Sequence, residues 1–208
     1  MRREPGRAQQ AGLKIALFLL CLVPMVQLVW RAAASALGAN PVEAVQRSTG
    51  WWTLVLLLGT LAVTPLRRWA GLGWLLRSRR MLGLFAFFYA CAHFTSYAWL
   101  DVWFDLEQVV KDVYKRPFIT VGFSALVLML PLALTSTQAM QRRLGRGWRT
   151  LHRLVYAVPV LGVLHFWWLV KRDIREPLAF AVVLALLLGA RLARRRAAGG
   201  PRDAIPER

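Results

Sequence analysis

The chain has 208 residues, of which 57% are hydrophobic and 18% charged, with a net charge of +18. An ordinary soluble domain is about 45–50% apolar and about 25% charged, and here the apolar residues are gathered into blocks, which excludes a soluble globular class. The basic residues are divided among four clusters instead of forming one stripe, which excludes a nucleic-acid surface.

MRREPGR opens the chain and precedes the first apolar block, Leu13–Trp30. The block is followed by AAASALG, so the segment resembles a secretory signal with a small-residue cleavage site. Its length and the intervening Arg31 favour a retained first helix. Five further blocks follow at Trp51–Leu66, Met81–Trp99, Phe118–Thr135, Leu151–Val170 and Leu178–Leu192. Each is near the length an α-helix needs to cross about 30 Å of hydrocarbon, and flanking residues can extend the shorter second and sixth. Between the third and fourth blocks, LDVWFDLEQVVKDVYKR sets Val102, Leu106, Val109, Val110 and Val113 on one helical face, with acids and lysines opposite. That pattern predicts a short helix on the membrane surface or a face for docking a partner. RLARRRAAGGPRDAIPER ends the chain as a solvated tail.

The fold class expected is therefore an all-α membrane protein, a bundle of six transmembrane helices with cytoplasmic N- and C-termini. Residues 1–12 form a cytoplasmic segment, 13–195 the membrane domain and 196–208 a cytoplasmic tail. With that orientation 20 of the 28 Lys and Arg residues lie on the cytoplasmic side, as positive-inside topology requires. Cys21 and Cys91 both lie within apolar blocks and read as small buried residues.

Three histidines interrupt this apolar sequence. An ionisable residue inside a membrane helix is costly, by roughly 2.5–3.5 kcal/mol when charged, and points to function. His93 lies 13 residues from Arg80 and His165 lies 16 from Arg149, or about 20 and 24 Å along their helices. Those depths place both in the outer leaflet, on different helices, where two imidazoles can clamp a haem iron from opposite sides. His152 lies near the cytoplasmic edge. On an ideal helix it sits about 140° around from His165, so both can face one groove only if Pro159 kinks or rewinds the helix. The spans hold neither an acid for a proton relay nor a His/Cys cluster for zinc.

The stretches GANPVEAVQRSTGWW, TPLRRW, SRRMLGLFAFFYACAHFTSY, KRPFITVG, LPLALTSTQAMQRRLG and WRTLHRLVYAVPVLGVLHFWW resemble the MsrQ (YedZ) family, part of the ferric-reductase-like transmembrane group. The resemblance runs from about residue 12 to residue 195. It implies a multi-pass protein of the bacterial inner membrane that carries electrons through b-type haem, one or two per chain, with FMN also associated. The implied acceptor is a periplasmic molybdenum-containing subunit, MsrP, on which sulfoxide chemistry repairs oxidised periplasmic proteins. The family's haem-ligand histidines fall on His93, His152 and His165. Met81 could complete a second haem with His152, and Arg79 and Arg80 could hold a propionate or a flavin phosphate, or simply anchor the membrane edge. The donor is quinol or a cytosolic flavin reductase, since the chain carries no dinucleotide fingerprint. A ferric or other small-substrate transmembrane reductase is one alternative, and a haem-free membrane scaffold or transporter is another. Electrons are expected to enter near Arg77, Arg79 and Arg80 and leave to a partner docked on Asp101–Arg116.

Overall fold

The computed structural model describes residues 6–170 and 172–198. The first five residues of the N-terminal segment and residues 199–208 of the expected tail lie outside them, whereas residues 191–198, the start of the stretch expected to be a solvated tail, continue the last helix. Among the described residues there are helices and no strands. The helices run α1 Arg7–Ala33, α2 Pro41–Trp69, α3 Leu75–Ser96, α4 Leu106–Lys115, α5 Pro117–Leu134, α6 Gln138–Leu151, α7 Ala157–Leu169 and α8 Arg175–Ala198. Their starts follow local chemistry. Asn40 caps α2 by accepting from the Glu43 N–H at 3.2 Å, Asp105 caps α4 and Thr137 caps α6 in the same way. Proline occupies the first turn of α2 and α5, where its missing N–H costs nothing.

All six apolar blocks are helical, and five of the helices are long and apolar enough to cross a membrane. The second and sixth blocks are extended by their flanks, to 29 and 24 residues. The short one is the fifth. Residues His152–Tyr156 form a 3₁₀ turn, and α7 that follows has only 13 residues. Pro159 explains the change of winding. Placed in the first turn of α7, it lacks a donor for the Val155 carbonyl and crowds it, so the preceding turn tightens to i→i+3 bonding.

Four helices, α1, α3, α7 and α8, pack on α2. Its Leu56, Leu57 and Val63 join Leu82, Phe85 and Tyr89 of α3 in one buried cluster, and its Leu54, Leu58 and Leu61 join Val163 of α7 and Leu184 of α8 in another. The spacing Leu54, Leu58, Leu61 is a helical face. α5 packs mainly on α7 and also on α3, so α2, α3, α5 and α7 form the inner bundle, while α1 and α8 lie outside it. Large side chains such as Leu20, Val26 and Leu186 remain exposed, as a lipid-facing belt requires. Lipid removes most of the hydrophobic drive between helices, so close fit and hydrogen bonds decide the pairing. Gly162 of α7 shows the fit: a Cβ there would lie 2.9 Å from Leu54 Cδ2. An ion pair, Arg47–Glu176 at 2.9 Å, ties the starts of α2 and α8.

One hydrogen-bond insertion fastens α1. Pro24 interrupts its ladder, and the fully buried Tyr89 hydroxyl enters the gap, accepting from the Met25 N–H at 3.0 Å and donating to the Cys21 carbonyl at 2.8 Å. A side chain lodged in the i→i−4 ladder satisfies both backbone groups where no water can.

The connection after α3 differs from its expected form. α3 ends in a π-helical turn, Tyr97–Asp101, followed by Trp103 and Phe104, both with positive φ (50° and 58°). α4 starts only at Leu106, so Val102 is not part of its apolar face. Leu106 and Val110 are exposed as expected, but Asp112 does not join the solvated side. It is buried, accepting from the Tyr97 hydroxyl and from Gln108 Nε2, each at 2.8 Å, and it pairs with Arg116 at 3.3 Å. A carboxylate this close to the bundle is retained because three donors satisfy it.

Candidate functional site

His93 leaves α3 one turn before its π-helical end, and His165 sits in the second half of α7. The two rings meet inside the bundle with centroids 6.1 Å apart and planes at 76°. Each ring is anchored from behind. His93 Nδ1 lies 3.0 Å from the Gln46 carbonyl of α2, with the Thr49 hydroxyl at 3.3 Å, and His165 Nδ1 lies 2.7 Å from the Phe118 carbonyl of α5. A carbonyl only accepts, so Nδ1 carries the proton in both rings and Nε2 keeps its lone pair. That is the tautomer of a metal-ligating histidine whose second nitrogen is held by an outer partner.

Two glycines admit the rings. A Cβ at Gly50 of α2 would stand 3.0 Å from His93 Cε1, and one at Gly122 of α5 would stand 2.7 Å from His165 Nδ1. Neither glycine has positive φ, so close approach and not backbone conformation is the reason for them. These residues, with Thr49 and the two carbonyls, were not among the candidates read from the sequence. The glycines did leave a signal, since glycine inside an apolar helical run suggests close packing. The carbonyls of Gln46 and Phe118 leave none, because every residue has one.

His152 belongs to a separate constellation at the other end of α5. Its ring stacks on the Trp148 indole with centroids 4.0 Å apart, and its Nε2 lies 3.1 Å from the Thr135 hydroxyl. That hydroxyl donates to the Pro131 carbonyl at 2.6 Å, which leaves it an acceptor toward His152 Nε2–H. His152 therefore has the tautomer opposite to the other two, with the lone pair on Nδ1. Trp148 also donates to the Thr135 carbonyl at 3.0 Å. Arg79 is close enough for its charge to act on His152. Arg80 is exposed, and Met81 packs against the core of α2 and α3.

The 3₁₀ turn resolves the angular mismatch between His152 and His165. Five steps of about 120° followed by eight of about 100° leave the two about 40° apart instead of about 140°. Both accordingly meet α5, His165 at Phe118 and Gly122 and His152 at Thr135.

The family model described as "Ferric reductase like transmembrane component" matches residues 49–163, which include Gly50, His93, Gly122 and His152 and stop two residues short of His165. The chain is 52% identical over 191 residues to the protein-methionine-sulfoxide reductase heme-binding subunit MsrQ of Herminiimonas arsenicoxydans, covering 90% of this chain and 88% of that one. It belongs to the MsrQ family. The MsrQ of Ralstonia nicotianae is 57% identical over 184 residues, 87% of this chain and 85% of the relative. That of Bordetella pertussis is 53% identical over 204 residues, 95% and 99% of the two chains. No solved structure matches. As a member of the MsrQ family and of the wider ferric-reductase-like group, the chain is a multi-pass membrane protein.

Proposed function

We propose that this chain is an electron-carrying subunit that holds a b-type haem between His93 and His165 and delivers electrons across the bacterial inner membrane to a periplasmic molybdenum-containing partner, MsrP. The observation that carries the reading is the close pair of imidazoles, with ring centroids 6.1 Å apart and each with Nδ1–H on a backbone carbonyl. The donor set fits: two imidazoles, each held at Nδ1 by a backbone carbonyl with the Nε2 lone pair left over, are the residues that would hold a haem iron. Bound there, haem supplies one-electron chemistry, with a potential tuned by axial ligands, hydrogen bonds and burial.

The chain's own contribution is to orient. The Gln46 and Phe118 carbonyls fix ring rotation and raise ligand basicity, and the apolar bundle excludes water. Rise supports a sixth span: five 3₁₀ residues at about 2.0 Å and thirteen helical residues at about 1.5 Å give about 30 Å for the fifth block, enough to cross, and the positive-inside rule supports cytoplasmic termini. His93 and His165 then lie toward the periplasm, and His152 toward the cytoplasm.

At the cytoplasmic end, His152 and Met81 are the donors available to a second haem, through His152 Nδ1. Arg79 and Arg80 suit the phosphate of FMN. Electrons enter at this end, from quinol or a cytosolic flavin reductase, and leave toward a partner docked on α4. Repair of methionine sulfoxide in oxidised periplasmic proteins takes place on that partner.

The test is the visible spectrum of the purified protein, with the His93→Ala and His165→Ala variants. Wild type should show a dithionite-reducible Soret band, and each substitution should abolish the low-spin signal, while His152→Ala should keep it. Absence of the band in reconstituted wild type, or its loss in His152→Ala with retention in His93→Ala, would overturn the assignment.

A further inference from the structure

The ten arginines at 67–80 and 142–153 stand at one end of the bundle, and no acid lies in those two segments. The seven acids among the described residues all lie at the other end, in 43, 101–112 and 173–176. Half of the ten arginines are carried by α6 and the residues just after it. α6 is capped by Thr137 and broken in the middle at Gly145 (φ 50°). None of its residues is buried. Within its first half Met140 and Leu144 share one side, as residues four apart do, while Arg142, Arg143, Arg146 and Arg149 are exposed. Among the described residues the ion pairs are Arg47–Glu176 and Arg116–Asp112, both at the opposite end.

We infer that α6 is an in-plane helix that seats on anionic phospholipid, its arginines on headgroup phosphates and Met140 and Leu144 in the acyl boundary. Position favours lipid over an acidic protein. α5 ends only three residues before α6, and the fifth apolar block begins where α6 ends, so both ends of the helix are held at the membrane surface. An exposed helix with a basic side and an apolar side is the form that lies in this interface. Each arginine near an anionic surface strengthens the attachment about fivefold. The lipid contact is also transmitted inward. Trp148 links α6 to His152 by ring stacking and to the end of α5 by its indole N–H, so a seated α6 holds the His152 constellation in place.

The experiment is hydrogen–deuterium exchange of the full chain in nanodiscs of phosphatidylcholine alone and of phosphatidylcholine with phosphatidylglycerol. Exchange across residues 138–151 should slow at least about tenfold when phosphatidylglycerol is present, and high salt should abolish the difference. In the R142Q/R143Q/R146Q/R149Q variant the lipid effect should fall to within about twofold, with α4 insensitive to lipid in both proteins. Equal exchange of wild-type α6 in the two lipids would overturn the inference, as would undiminished protection in the variant. Neither outcome depends on haem content, which the Soret band reads separately.

Discussion

Gly122→Ala should be the most damaging single-methyl change in the bundle. The added Cβ would stand 2.7 Å from His165 Nδ1, 2.9 Å from Cε1 and 3.0 Å from Cγ, where ordinary contact begins at 3.4 Å. The ring or α5 must therefore move by about 0.7 Å, in a close-packed interior that resists such shifts. The same displacement along the 2.7 Å bond from His165 Nδ1 to the Phe118 carbonyl would take it past hydrogen-bonding range. Loss of an outer partner of a metal-ligating histidine costs about 10–100-fold in metal affinity. Gly50→Ala provides an internal scale, because its Cβ would lie 3.0 Å from His93 Cε1, which asks for a shift of only about 0.4 Å. Helix propensity favours alanine at both positions by about 1 kcal/mol, so any loss must come from the site. Haem content by pyridine haemochromogen and the midpoint potential of purified variants are the measurements. Gly122→Ala should retain haem poorly, and Gly50→Ala should retain it with a shifted potential. Full haem and an unchanged potential in Gly122→Ala, or greater damage from Gly50→Ala, would refute the reasoning.

Tyr89→Phe removes both bonds that fasten α1, at about 0.6 kcal/mol or more each for polar contacts inside a membrane. It should lower the thermal midpoint and leave the haem spectrum unchanged. Pro159→Ala restores a donor for the Val155 carbonyl. It should convert the 3₁₀ turn to α-helix, turn His152 back by about 100° and break its contact with Thr135, visible as a shifted His152 ring signal in NMR. Glu107→Gln and Lys111→Gln lie on the exposed side of α4 and, on the proposed function, should slow reduction of the proposed periplasmic partner in stopped-flow assays, with haem content and haem reduction by the proposed donor unaltered. If these changes block haem reduction instead, donor and acceptor ends are reversed.

The sequence by itself determined the class of the protein and the level of its histidines. Apolar blocks of membrane length cannot be soluble, and the distance of a residue along a helix from a basic edge gives its depth, so His93 and His165 were placed at one height before any fold was known. It also indicated that Pro159 would disturb the fifth block. Which side of the proline would rewind, and by how much, was not legible, because that depends on how α7 packs on α5. The tertiary structure alone decided azimuth and partners. It turned His93 and His165 toward each other, assigned each Nδ1 proton to a carbonyl on a neighbouring helix, and gave His152 the opposite tautomer under Trp148. It also drew Asp112 inward to Tyr97, although α4 has an otherwise amphipathic pattern. Periodicity reports one helix against an averaged environment. Ring rotation, carbonyl contacts and the room left by Gly50 and Gly122 arise only where two helices meet.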